Sequence, residues 1–156
     1  MSDARSVQER YAPQNHCFGC GPANSKGLRI RSFEDGAGGL TAKWTPEPHH
    51  EAFDGMLNGG IIGSLMDCHG NWAAAIYIMK ARAEETPPCT VTAEFHVKLK
   101  HVTPSDGPVY LHARVVDSED DRATVEVTLE AGGKTTSTCR GVFVAVREGH
   151  PAYHRW

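Results

Sequence analysis

Apolar and polar residues alternate through most of the second half of the chain. Val91, Ala93, Phe95, Val97 and Leu99 alternate with Thr92, Glu94, His96 and Lys98. Val109, Leu111, Ala113 and Val115 alternate with Tyr110, His112 and Arg114, and Ala123, Val125, Val127 and Leu129 with Thr124, Glu126 and Thr128. Val142, Val144 and Val146 continue the pattern after the Thr/Ser-rich "KTTSTCRG". A period of two sends successive side chains to opposite faces of a sheet, so the pattern predicts four strands. "TPSDGP" and "EAGGK" between them have the composition of antiparallel connections. Two weaker strand signals come earlier, "GLRIRSF" at 27–33 and "GLTAKW" at 39–44, with "DGAGG" as the turn between them. "TPEPHHEAFDG" at 45–55 holds two prolines and reads as a loop.

Between these groups the period changes. Positions 61, 65, 68, 72, 76 and 79 form one helical stripe, and 62, 66, 69, 73 and 76 form its neighbour. So wide an apolar arc predicts a helix buried on most of its circumference, from about Asn58 to about Ala83, ending before Pro87 and Pro88. Gly70, in mid-pattern, marks a close approach. Two strands, one long helix and four strands exclude a doubly wound sheet. The fold class is α+β, an antiparallel sheet wrapped around one long buried helix.

Composition narrows this picture only a little. With 156 residues, 40% of them hydrophobic, the expectation is one domain over 1–156, with a polar N-terminal arm at 1–15 and a C-terminal tail at 147–156. A net charge of −3 gives no sign of nucleic-acid binding. No apolar run approaches the ~20 residues of a membrane span, and the first fifteen residues lack the apolar core of a signal peptide. Five scattered cysteines do not form a disulfide framework. A cytoplasmic protein without membrane contact is expected.

One carboxylate stands out. Asp67 lies in the most apolar segment of the chain, between Ile61, Ile62, Leu65 and Met66 on one side and Trp72 through Ile76 on the other. An unpaired buried carboxylate is costly. Two glycines, Gly59 and Gly60, stand at the expected helix start, where backbone N–H groups are free and the helix dipole is positive. Glycines there let a substrate carbonyl approach closely, and Asn58 either caps the helix or offers its amide to substrate. Gly59 and Asp67 are eight residues apart, about 12 Å along a helix. They cannot serve the same carbonyl within one subunit, so a site using both takes one from each of two chains.

The pieces "CFGCGPANSKGLRI", "H-x4-G-x2-N-G-G-I-I-x3-M-D" at 50–67, "VTAEFHVKLKHVTPSDG" and "CRGVFVAV" together resemble the hotdog-fold thioesterases, in particular the group related to the phenylacetate-pathway acyl-CoA thioesterases. The resemblance runs from Cys17 to Val146. It implies an acyl-CoA thioester hydrolase whose sites lie between the subunits of a homodimer or a dimer of dimers, with coenzyme A entering only as part of the substrate. Gly59 matches the oxyanion-hole residue and Asp67 the general base or nucleophile. Thr92 matches the Ser/Thr that supports the water or the acid, and His50 falls where the pattern often has a histidine. Two positions depart from the group: Asn58 replaces its usual His, and Ala52 replaces the Asn that some members have.

Each residue also has a plainer reading. Asn58 with Gly60 can be a cap with packing glycines, Thr92 a good β-former, and His50 a solvated loop residue. Glu94, one step beyond Thr92 on the same strand face, is a fallback carboxylate. "KLKH" at 98–101, with Arg114 or Arg122, offers charges for the phosphates of a coenzyme A carrier. Cys17-Phe-Gly-Cys20 with His16 is half a zinc site, but no second pair completes it, and Cys68, Cys89 and Cys139 are isolated. Neither a metal nor a redox site is expected. Two other functions compete: a non-catalytic acyl-CoA or ligand-binding module, and a hydratase or dehydratase, for which a D-x-N-P-x-H-like loop is missing.

Overall fold

The computed structural model describes residues 3–154 and 156. A short helix α1 (Val7–Tyr11) precedes the hairpin β1 (Ser32–Glu34) and β2 (Leu40–Trp44). After a 3-10 turn at Pro48–His50 come two short strands, β3 (Glu51–Phe53) and β4 (Met56–Leu57), and then the long helix α2 (Gly59–Ala81). Four long strands follow: β5 (Thr90–Leu99), β6 (Val109–Glu119), β7 (Arg122–Ala131) and β8 (Lys134–Ala145). Six strands form one antiparallel sheet in the order β1-β2-β6-β7-β8-β5, and β3 pairs with β4 apart from it. The inner face packs on α2 through β2 and β5 to β8. This is the hotdog arrangement, a sheet wrapped around one helix.

The alternation places the core directly. Val109, Leu111 and Ala113 of β6 and Ala123, Val125, Val127 and Leu129 of β7 are buried against Ile62, Leu65, Met66, Trp72 and Ile76 of α2. Gly70 is the expected close approach: a Cβ there would lie 3.1 Å from Phe143 and 3.2 Å from Val127.

The N-terminal region departs from the expectation of a polar arm. Ser6 caps α1 by accepting from the Glu9 N–H, and the Glu9 carboxylate accepts from the Ser6 N–H, which closes a capping box. Val7 and Gln8 are buried. Gln8 donates to Ser32 Oγ (2.9 Å) and accepts from the Ser32 N–H (2.8 Å). Ser32 Oγ lies 2.7 Å from His69 Nδ1, and His69 Nε2 lies 3.1 Å from the Leu40 carbonyl. The carbonyl only accepts, so Nε2 carries the proton and Nδ1 accepts from Ser32. Burial lowers the His69 pKa to about 4 and keeps the ring neutral. One polar chain thus ties α1, β1, β2 and α2 together. The tail also docks, with Trp156 stacked on Trp72 at 4.6 Å.

β1 is shorter than the pattern predicts. Leu28 and Ile30 are buried, but their N–H groups go to the Phe18 and Gly19 carbonyls rather than to a strand.

Candidate active site

Asn58 caps α2. Its Oδ1 accepts from the N–H groups of Gly60 (2.8 Å) and Ile61 (3.1 Å), and its own N–H donates to the His50 carbonyl (3.0 Å). Gly60 therefore has its donor engaged within the chain. The Gly59 N–H donates to no group among the described residues, which leaves a free donor at the positive end of a 23-residue helix. Leu99 lies over this point, 3.0 Å from where a Gly59 Cβ would be. Gly59, Leu99, Ile62, Phe53 and Val102 border a cleft of about 410 Å³. A second cavity, of about 680 Å³, lies between the β1–β2 turn and Ala73, Ile76, Tyr77 and Lys80 of α2, away from Gly59.

Two turns further along, half-buried Asp67 accepts a hydrogen bond of 2.6 Å from Thr92 Oγ1 on β5. One turn beyond, Thr90 Oγ1 donates to Asn71 Oδ1. These two rungs fasten α2 to β5 and fix the carboxylate rotamer. The charge of Asp67 reaches Cys139, whose thiol is pushed up to about 11, chiefly by burial and further by that charge. Gly59 and Asp67 occupy one continuous helix, so the separation of about 12 Å stands.

Glu94 does not share a face with Thr92. The register of β5 on β8 shifts between them: Thr92 pairs with Phe143, while Glu94 pairs with Val142. A bulge at Ala93 turns Glu94 outward to solvent and brings Phe95 inward, 3.9 Å from where a Gly63 Cβ would stand. His50 is buried rather than solvated. Its Nδ1 accepts from the Glu47 N–H (3.0 Å), its ring packs on Trp44, and burial lowers its pKa. It shapes the loop that presents Asn58.

Lys98 and His96 share the outer sheet face with Arg140 and Glu126. Arg114 and Arg140 both pair with Glu126, at 3.3 and 3.0 Å, so that part of the basic stripe is partly neutralised. Arg122 lies away from it, paired in register with Val144.

Sequence reasoning missed the apolar rim near the helix start. Phe53, Leu99 and Val102 are more than half exposed, and Phe95 is 41% exposed. Hydrophobic residues on a strand whose alternation predicts one buried face give no warning that the face is open. Cys68 is not isolated either: its sulfur lies 3.7 Å from that of Cys17.

A six-stranded antiparallel sheet wrapped around one long helix defines the hotdog class. The thioesterase superfamily model matches residues 54–138, more than half of the chain, and the chain belongs to that superfamily. Among solved structures it is similar to a thioesterase superfamily protein from Shewanella loihica PV-4, at 26% identity and TM-score 0.65, covering 81% of this chain and 98% of that one. A thioesterase from Haemophilus influenzae matches at 17% identity and TM-score 0.65, over 79% and 84% of the two chains. Zebra fish thioesterase superfamily member 2 matches at 18% and 0.64, over 80% and 90%. Comparison with curated proteins gives no match. No helix among the described residues is long and apolar enough to cross a membrane.

Proposed function

We propose that this chain hydrolyses acyl-CoA thioesters as a homodimer, each site pairing Gly59 of one subunit with Asp67 of the other. The observation that carries the reading is the division of labour along α2. Among the described residues the Gly59 N–H meets no acceptor, and Asp67 is held by Thr92 too far along the same helix to reach it. The thioester carbonyl accepts from the Gly59 N–H, which stabilises the oxyanion as it forms. Asp67 of the partner subunit either takes a proton from the attacking water or attacks the carbonyl itself to give an anhydride that water then opens. Either way the C–S bond breaks and the thiolate leaves with the coenzyme. Dimerisation has a natural seat, because β5 ends the sheet with ten residues and carries the exposed Phe95 and Leu99.

Assay of an acyl-CoA panel tests the chemistry. Turnover by the wild type and loss of at least about 100-fold in Asp67→Ala are expected. Mixing Gly59→Val with Asp67→Ala subunits tests the shared site. Heterodimers hold one site free of both changes, so partial recovery is expected. Turnover of no thioester makes the chain a ligand-binding hotdog protein instead, and full rate in Asp67→Ala removes Asp67 from the chemistry. Failure of complementation with verified subunit exchange rejects the shared site alone.

A further inference from the structure

Three of the five cysteines, spread over Cys17, Cys20 and Cys68, meet in space. Their sulfurs all lie within 4.8 Å of one another, with Cys17 and Cys68 at 3.7 Å. The half-site at Cys17 and Cys20 gains a third sulfur from α2.

The turn that carries two of the sulfurs is held in shape by the protein alone. The Gly21 N–H closes it onto the Cys17 carbonyl (2.8 Å), and Asn15 Oδ1 accepts from the Cys17 N–H (2.8 Å). A Cβ on Gly19 would be 2.4 Å from the Cys68 sulfur, so only glycine lets this backbone lie directly on α2. From the other side, Leu28 and Ile30 donate to the Phe18 and Gly19 carbonyls. The sulfurs also have N–H partners. The S–H groups of Cys20 and Cys68, and the Cys20 and Gly19 backbone N–H groups, lower the Cys17 pKa strongly. Those same contacts with Cys17 raise Cys20 and Cys68. The indole N–H of Trp72 donates to Cys20 (3.4 Å). The three sulfurs thus lie together in a cradle of donors.

We propose that Cys17, Cys20 and Cys68 bind one thiophilic metal ion of the zinc class, leaving a fourth position on the half-buried Cys17 side. Zinc–sulfur bonds of about 2.3 Å in a tetrahedron put sulfurs about 3.8 Å apart, close to the Cys17–Cys68 spacing. Thiolates select such ions over magnesium or calcium, and N–H donors to sulfur are the outer contacts that a thiolate–metal site uses. A disulfide would draw two sulfurs to about 2.05 Å and leave the third, with its donor, without a role. Each cysteine binds the ion as its thiolate. Binding one divalent ion gives three metal–sulfur bonds and sends the protons those thiols carry to solvent, with no oxidant or reductant.

The test uses the full chain, kept reduced, stripped with a chelator and titrated with cobalt(II). One cobalt per chain is expected, with the intense sulfur-to-cobalt charge-transfer absorption, displacement by one equivalent of zinc, and release of protons in weak buffer. Cys17→Ser and Cys68→Ser should each lose the band, and Cys139→Ser should keep it. Cys17 lies in a loop, so its variant reads the site even if Cys68→Ser does not fold. Absence of the band in the wild type overturns the proposal. So does its persistence in Cys17→Ser, or a Cys17–Cys68 disulfide in the reduced preparation. None of these readouts depends on thioesterase activity.

Discussion

At the scale of single residues, Asp67 answers the puzzle of a carboxylate in an oily helix. It is half-buried and accepts from Thr92. A hydrogen bond to a charged group contributes about 1.5–3 kcal/mol. Thr92→Val should therefore slow turnover by roughly 10- to 100-fold, chiefly in kcat, and Thr92→Ser should restore most of the rate. Steady-state kinetics on the best acyl-CoA reads both. Thr92 was legible because a motif places it. Glu94 was misread because alternation assumes a regular strand, and the one-residue shift at Ala93 leaves no signature in hydrophobicity. Asn58 fits the cap that its sequence position allows, since Asn, unlike a backbone-shaping glycine, brings an acceptor of the right length.

At the scale of elements, α2 was the most legible part of the chain. Its expected span of about 58 to 83 compares with Gly59–Ala81. Twenty-three residues of two adjoining apolar stripes are hard to read as anything else. The N-cap gives a direct check. Asn58→Ala should destabilise the fold by about 1 kcal/mol, whereas Asn58→Asp should be close to neutral, as read from urea midpoints at unchanged slope. β1 and the small β3–β4 pair were poorly legible. Short strands carry too few alternations to be seen, and the Leu28 and Ile30 backbone found partners in the cysteine turn instead of a sheet.

At the scale of the whole molecule, what sequence could not show is which distant segments meet. The chain from Gln8 through Ser32 and His69 to Leu40 joins four elements, and no local pattern announces it. It also makes stability depend on pH. His69 has its folded pKa depressed from 6.5 to about 4, so the unfolded state takes up a proton that the folded state refuses. Its contribution is whole above about pH 6.5, is lost as the pH falls toward 4, and amounts to roughly 3 kcal/mol. Denaturant unfolding at a series of pH values should show this loss. His69→Gln should be less stable at neutral pH but lose less on acidification. The same blindness to long range hid the third cysteine of the sulfur cluster and the open rim at Phe95 and Leu99.

The bulge at Ala93 has a consequence for anyone aligning this chain with its relatives. Thr92 and Phe95 are three positions apart, an odd interval, and in an uninterrupted strand they point to opposite faces. Here both face α2, Thr92 on Asp67 and Phe95 over Gly63, because one residue is looped out between them. An alignment with a relative lacking that extra residue therefore needs a gap at Ala93. Without it, every residue on one side of the bulge is compared with a residue that looks the other way.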